Sequence, residues 1–442
     1  MYATQQLAQG ASLLQSQSLP AEVLHHAKRA VIDWYASLYP GLTVAPVPQL
    51  VQTLADDLDR GHAWAGIGRR ATARTAALLN GSAAHAAEVD DSFRDAMYHP
   101  GAATIAAALA VGHERNSTGL GFLRSVITGY EVSTRIGVAM GRPHYAFWHN
   151  TGTVGTFGAA SSAGSALQLD DQGFAHALAT AATFASGLQQ AFRMDSMSKP
   201  LHAGRAAEAG LLAAQLAQNG VTGSLDVLDG EAGFGNAMSR EVDWSGVAEG
   251  LGEDFHITRL TFKNHIGCGH TFAAIDGALA LRQRLSIRAE DIAEVKVATY
   301  KPALDIACYT QPSSVNEARF SLSYVVATAL THGSVRLAAY ETDRVNHPAT
   351  RSLMQRTTVE VDPELDAAFP KQRAARITLV MRDGTRHVHL QANRKGDPEL
   401  PLSDQELNDK YLELASPVLG QHKAQALLEQ LWQLDQLAEL PR

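Results

Sequence analysis

Four short stretches, each broken by Gly or Pro, gather the side chains that can move protons or hold anions. In the first, Glu88-Val89-Asp90-Asp91-Ser92-Phe93 is followed by His99-Pro100-Gly101, so a loop between two Ala-rich helices would offer acids and an imidazole to a cleft. In the second, His144 to Thr151, the pair Trp148-His149 stands just before a helix start, where the positive end of the helix favours anions. The third, Ser198-Lys199-Pro200-Leu201-His202-Ala203-Gly204, also precedes a helix, and its lysine can pair with a substrate carboxylate. The fourth runs from Lys263 through His265, Cys268 and His270, where two domains should meet. Histidine is the natural base for taking a proton from a carbon beside a carboxylate, because its pKa lies near neutrality. The negative charge that then develops needs a fixed cation or helix N-terminus, a part that Lys199 can play.

These stretches need elements to hold them. Alanine is concentrated before residue 285, and it both favours helices and lets them approach closely. Helical spacing is legible from Pro20 to the Tyr39-Pro40-Gly41 breaker, then over Ala71–Glu88, Ala102–His113, Leu120–Met140, Gly155–Leu167, Gly173–Gln190 and Ala203–Gln218. Gly152, Gly155, Gly158 and Gly164 lack the lysine and preceding strand of a phosphate loop, so they predict close helix–helix contacts. Later the pattern changes. Glu294–Thr299, Thr357–Val361, Ile377–Met381 and His387–Gln391 predict strands, with Asp383-Gly384 as a hairpin turn. Helices are expected at Glu317–His332, Val335–Tyr340, Ser403–Leu414 and His422–Leu437. The fold class is therefore mainly α: a large all-helical domain, residues 1–260 completed by 400–442, and a smaller α+β domain, residues 261–399.

Composition excludes several other functions. At about 150 residues per domain, 442 residues predict two to three domains with a sizeable core. A net charge of −8 argues against a broad nucleic-acid-binding face, and no apolar run is long enough to cross a membrane. Cys268 and Cys308 cannot form a disulfide scaffold or supply the three thiolates of an iron–sulfur dehydratase. The polar stretch Ala3–Gln17 shows no basic or apolar region of a signal peptide, which predicts a cytoplasmic protein. His265, Cys268 and His270 match no strong zinc spacing, so no metal is expected there.

The ordered set of motifs resembles the MmgE/PrpD family, which includes 2-methylcitrate dehydratase, cis-aconitate decarboxylase and iminodisuccinate epimerase. The resemblance runs from Val31-Ile32-Asp33 through Asn80-Gly81, Asp90-Asp91-Ser92 and His99-Pro100. It continues through His149 with Gly155 and Gly158, Lys199-Pro200-Leu201-His202-Ala203-Gly204, Ala273-Ala274-Ile275-Asp276, and Phe320-Ser321 with Tyr324. It implies a homodimer, an active site between the domains, and catalysis without metal or organic cofactor. His99, His149, Lys199 and Tyr324 match positions that the family uses at its site. Asp90, Asp91 and Ser92 match its acidic motif, with Glu88 where relatives often have Asp. Relatives commonly carry a histidine directly before Ala273; here Phe272 takes that place, and His270 lies two residues earlier.

The expectation is a cofactor-independent lyase, a dehydratase or decarboxylase, acting on a small di- or tricarboxylate. His99, His149, Lys199, Tyr324 and Asp90 would carry the chemistry. Glu88, Asp91, Ser92, His202 and His270 would bind substrate. The alternative is an epimerase of an amino- or imino-dicarboxylate, favoured by the Asp91-Ser92-Phe93 and Trp148-His149 details. A third reading is a catalytically silent helical dimer, which the intact acid, histidine and lysine set opposes. Ordinary roles compete at single positions: Asp90 and Asp91 can cap a turn, and Tyr324 can be a core residue with a satisfied hydroxyl.

Overall fold

The structure, a computed structural model, describes residues 1–194 and 196–442. Two compact units emerge, Met1–Thr261 with Ser403–Arg442, and Phe262–Leu402. Among the described residues before 220, the first holds the helices α1 (Ala3–Ser16), α2 (Ala21–Gly41), α3 (Val47–Thr53), α4 (Ala73–Ala86), α5 (Pro100–Arg115), α6 (Gly119–Tyr145), α7 (Asn150–Ala166), α8 (Asp171–Phe184) and α9 (Lys199–Gln218). Helix α7 is buried along its length and packs on α5, α6 and α9. Its small residues make that possible. A Cβ on Gly158 would lie 2.5 Å from the Thr104 hydroxyl, and one on Gly210 would lie 2.3 Å from the Thr156 carbonyl. The glycine series is thus helix–helix packing.

Caps set the helix starts. Thr72, Thr118 and Asp170 accept backbone N–H groups at the beginnings of α4, α6 and α8. The polar stretch at the N-terminus is itself helix α1, because Leu7, Ala8, Ala11 and Leu14 form a buried stripe at helical spacing. The helix expected over Gly173–Gln190 stops at Phe184, where Ala185 turns extended. The helical unit also holds a two-stranded antiparallel hairpin, β1 (Leu58–Ala65) with β2 (Arg69–Ala71). Weak alternation and exposed arginines hide it in the sequence. Helix Asp404–Leu419, opened by the Ser403/Glu406 capping box, packs against α2 in the same unit.

The second unit carries a four-stranded mixed sheet, in spatial order β4 (Thr357–Val361), β3 (Ile292–Thr299), β5 (Ala375–Met381), β6 (Arg386–Gln391). β3 pairs parallel with β4 and antiparallel with β5, and β5 pairs antiparallel with β6. Gly384 takes the left-handed conformation that closes the β5–β6 turn. Helices Phe272–Leu285 and Leu322–His332 pack together. The helix expected from Glu317 breaks because Ser321 caps a fresh start, its hydroxyl accepting the Tyr324 N–H. Only a 3-10 turn, Leu337–Tyr340, forms within Val335–Tyr340. Among the described residues, no helix is long and apolar enough to cross a membrane.

Candidate active site

Within the helical unit, helix starts deliver the reactive side chains. His99 precedes α5, with Pro100 at its first position; His149 precedes α7; Lys199 opens α9, followed by Pro200. Proline suits the first turn because its missing N–H would have no helical partner. The starts of α5 and α7 are tied by the His99 N–H donating to the Thr151 hydroxyl at 3.3 Å. Lys199 and His149 share Phe192: the ammonium lies 5.2 Å from the ring centre, and the His149 ring meets it edge-on at 4.8 Å.

The acidic loop follows α4. Glu88 takes a left-handed conformation, φ 61°, that turns the chain out of the helix. Lys410, buried on helix Asp404–Leu419, then anchors the loop by donating to the Val89 carbonyl at 2.8 Å and to Asp33 at 2.6 Å. Ser92 exchanges two backbone hydrogen bonds with Thr261, at 2.9 and 2.8 Å. Asp91 is fully engaged, accepting the Gly101 N–H at 3.0 Å and the Tyr130 hydroxyl at 2.8 Å. Gly101 must be glycine here, since a Cβ would lie 2.7 Å from the Tyr130 hydroxyl. Burial, then the Asp33 carboxylate, pushes the Asp91 carboxyl up to about 8. Asp91 is therefore a protonated structural carboxyl below that pH.

Asp90 sits at the centre of an imidazole cluster. Its Oδ2 accepts from His85 Nδ1 at 2.7 Å and lies 3.4 Å from His99 Nδ1. The Asp91 carbonyl can only accept, and at 2.6 Å it fixes the proton of His99 on Nδ1. His99 Nε2 is then the nitrogen that gains or loses a proton as the ring changes charge. The His149 ring stacks on His85 at 5.4 Å, and its Nδ1 lies 3.0 Å from His202 Nδ1, one donating to the other. Burial, followed by repulsion from His85 and Lys199, holds His149 well below the ordinary imidazole value and His202 at about 4. Both are neutral at physiological pH. Burial works against the Lys199 charge, but the Glu88 carboxylate bonded to it holds the ammonium above its ordinary pKa.

The structure therefore brings Glu88, Asp90, His99, His149, Lys199 and His202 into one cluster, with Asp91 and Ser92 bracing the loop. His85 also belongs to it and was missed in the sequence. It ends an Ala-rich helix and looks like any helical histidine; its five-residue separation from Asp90 was the available signal. Phe192, between His149 and Lys199, carried no signal. The other two expected residues lie in the second unit. The Tyr324 hydroxyl donates to the Ala339 carbonyl, and the side chain is fully buried. His270 Nδ1 pairs with the Tyr300 hydroxyl at 2.9 Å, and burial, aided by Arg373 and Arg394, lowers it to about 4.

Among the described residues, His85, Asp90 and His99 offer ligand atoms within 4.8 Å of one another, the geometry of a possible metal tripod. The two Nδ1 atoms are engaged in hydrogen bonds. His85 Nδ1 is already spent on Asp90, and His99 Nδ1 carries a proton aimed at a carbonyl. His265 and His270, considered with Cys268 in the sequence, each pair elsewhere: with Asp276 at 2.7 Å and with Tyr300.

An acid–base cluster at neighbouring helix starts is the equipment of an enzyme, and the chain belongs to the MmgE/PrpD family, which makes it a lyase. Residues 5–246 match the MmgE/PrpD N-terminal domain and residues 265–436 the MmgE/PrpD C-terminal domain. The chain is 27% identical to the cis-aconitate decarboxylase-like protein oryM of Aspergillus oryzae, over 99% of the chain and 95% of that relative. It is 26% identical to human cis-aconitate decarboxylase, over 95% of the chain and 89% of the relative. The cis-aconitate decarboxylase of Aspergillus terreus is also 26% identical, over 99% and 94%.

Proposed function

We propose that this enzyme decarboxylates a small unsaturated tricarboxylate of the cis-aconitate type, without a metal or organic cofactor. The observation that carries the reading is the joining of Asp90, three further imidazoles and Lys199 around His149 at the starts of α5, α7 and α9. Lys199 and the positive ends of these helices hold substrate carboxylates. A carboxylate must compete with Glu88 for Lys199, so binding exchanges one ion pair for another.

Loss of CO2 from the methylene-bound carboxylate leaves an electron pair that moves through the neighbouring double bond. The far alkene carbon then takes a proton, and the double bond shifts by one position. His99, as an imidazolium whose Nδ1 proton is held by the Asp91 carbonyl beside Asp90, gives that proton from Nε2 and is left as the neutral Nδ1–H ring, to be reprotonated from solvent. His149, held neutral, donates a ring N–H hydrogen bond to the negative charge that develops as CO2 leaves. His202 and His85 keep its ring in place. A dehydratase reaction would use the same groups, with the acid delivering its proton to a leaving hydroxyl.

The test is incubation in deuterated water with cis-aconitate, citrate and iminodisuccinate, followed by mass spectrometry. Loss of CO2 with uptake of one solvent deuterium, undiminished after exhaustive chelation, is expected. Loss of water instead makes the enzyme a dehydratase. Deuterium gain with inverted configuration and no other mass change overturns the lyase reading in favour of an epimerase.

A further inference from the structure

The second unit contains an open cavity of about 410 Å³ with four arginines in its wall: Arg282, Arg288, Arg356 and Arg382. It forms where several elements end: the last turns of helices Phe272–Leu285, Leu322–His332 and Pro348–Met354, the segment leading into β3, and the β5–β6 turn. Arginines are commonplace at helix ends, where a guanidinium satisfies carbonyls that the helix leaves without partners. Part of that role is filled here. Arg282 Nε donates to the Leu330 carbonyl at 3.1 Å, and Arg382 Nε to the Glu290 carbonyl at 2.7 Å. Arg356 donates from Nε to the Ser352 carbonyl at 3.2 Å and from Nη1 to the Ile292 carbonyl.

Capping does not account for the charge. Among the described residues, no carboxylate forms an ion pair with Arg282, Arg356 or Arg382. Arg288 alone is paired, with Glu290 at 2.8 Å and Asp291 at 3.4 Å. Four guanidinium groups thus face two acids, on a chain whose net charge is −8. Burial and the neighbouring Arg382 charge both work against the Arg356 guanidinium. Like charges assembled against their own repulsion ask for an anion to offset them. The bonds to carbonyls fix three guanidinium groups in place while Nη atoms of Arg282 and Arg382 stay free to donate. Gly333 assists: a Cβ there would lie 2.6 Å from Arg282 Nη1. Guanidinium forks match phosphate oxygens in pairs, and the cavity volume suits a small ligand.

We propose that this arginine cavity binds a compact oligophosphate, a free anion carrying pyrophosphate-like charge, at a site independent of the proposed decarboxylation. Arg356, Arg382 and Arg282 hold the phosphate oxygens, and Arg288 closes the rim.

Calorimetric titration of the full chain with sodium pyrophosphate tests this, with citrate and sulfate at matched ionic strength as comparison arms. Saturable one-to-one binding of pyrophosphate that weakens with added salt is expected, with citrate and sulfate at least about tenfold weaker. Arg382→Gln is exposed and should not disturb folding, and it should weaken pyrophosphate at least about tenfold. Arg356→Gln combined with Arg382→Gln should abolish binding while turnover of the tricarboxylate stays unchanged. Absence of saturable binding at millimolar pyrophosphate overturns the proposal. So does citrate binding as tightly as pyrophosphate, or full binding by the folded double variant.

Discussion

Two buried histidine–carboxylate pairs, one in each unit, have the same length and different surroundings. His85–Asp90 and His265–Asp276 both measure 2.7 Å, and all four side chains are buried. In the second unit, the other Asp276 oxygen accepts the Lys395 N–H at 2.7 Å, and the His265 ring packs edge-on against Phe272. That pair ties a loop to helix Phe272–Leu285. In the helical unit, Asp90 reaches a second imidazole, His99, whose ring is 20% exposed, and His85 stacks on His149 beside Lys199. A buried pair alone is a structural fastener. It becomes chemical machinery when a partly open imidazole and a cation stand beside it.

The largest break in the comparison should come at His149. Replacing a positioned acid–base group costs about 10²–10⁴ in rate. His149→Gln should therefore lose at least about a hundredfold in kcat while its melting temperature stays close to that of the parent. Parallel loss of folding and activity would make His149 a fastener as well. The opposite pattern is expected at His265. Removing one member of a buried pair leaves the other uncompensated, at a cost of about 3 kcal/mol or more. His265→Gln should melt at a distinctly lower temperature yet keep its kcat per folded molecule. A stable but inactive His265→Gln would erase the distinction between the two pairs.

The sequence disclosed one side of this contrast better than the other. Helices α4 to α9 and the four strands of the second unit follow from period and turn chemistry, because burial of one face dictates both. His99, His149 and Lys199 stand out because Pro or a helix start adjoins each. His85 does not stand out, since its partner Asp90 lies across a left-handed turn at Glu88 that no propensity announces. Lys410 is further hidden: its bonds to Asp33 and Val89 span over 300 residues, and spacing carries no signal at that range. Tyr324 shows the reverse limit. A residue type suited to chemistry can have its hydroxyl spent on a backbone carbonyl.

A smaller effect sharpens the cation's part. Lys199→Met should raise KM by about tenfold to a hundredfold, because it removes a charge-assisted contact worth roughly 1.5–3 kcal/mol. Glu88→Gln should act in the other direction on binding, since a substrate carboxylate would no longer compete with Glu88 for the ammonium. A lower KM in Glu88→Gln with kcat kept is the expected outcome by steady-state kinetics. An unchanged KM in both variants would remove Lys199 from substrate binding.

The smallest effect concerns Asp91, the carboxyl beside Asp90 that does no chemistry in this scheme. Its carboxyl is pushed up to about 8 in the fold, against an ordinary value of 3.8. Between these values the native chain holds a proton that the unfolded chain has released, so this group's contribution to stability declines as pH rises. His202 runs the other way: held at about 4 against 6.5, it makes stability rise with pH over that window and adds nothing above it. From about pH 6.5 to 8 the Asp91 trend is left unopposed by His202, at no more than about 1.4 kcal/mol per pH unit. Asp91→Asn keeps an acceptor oxygen for the Gly101 N–H, offers the Tyr130 hydroxyl an amide N–H to accept instead, and cannot ionise. Its melting temperature should therefore fall less steeply than the parent's across that range. Equal slopes would mean that Asp91 is already ionised at neutral pH, with a carboxylate rather than a carboxyl between Gly101 and Tyr130.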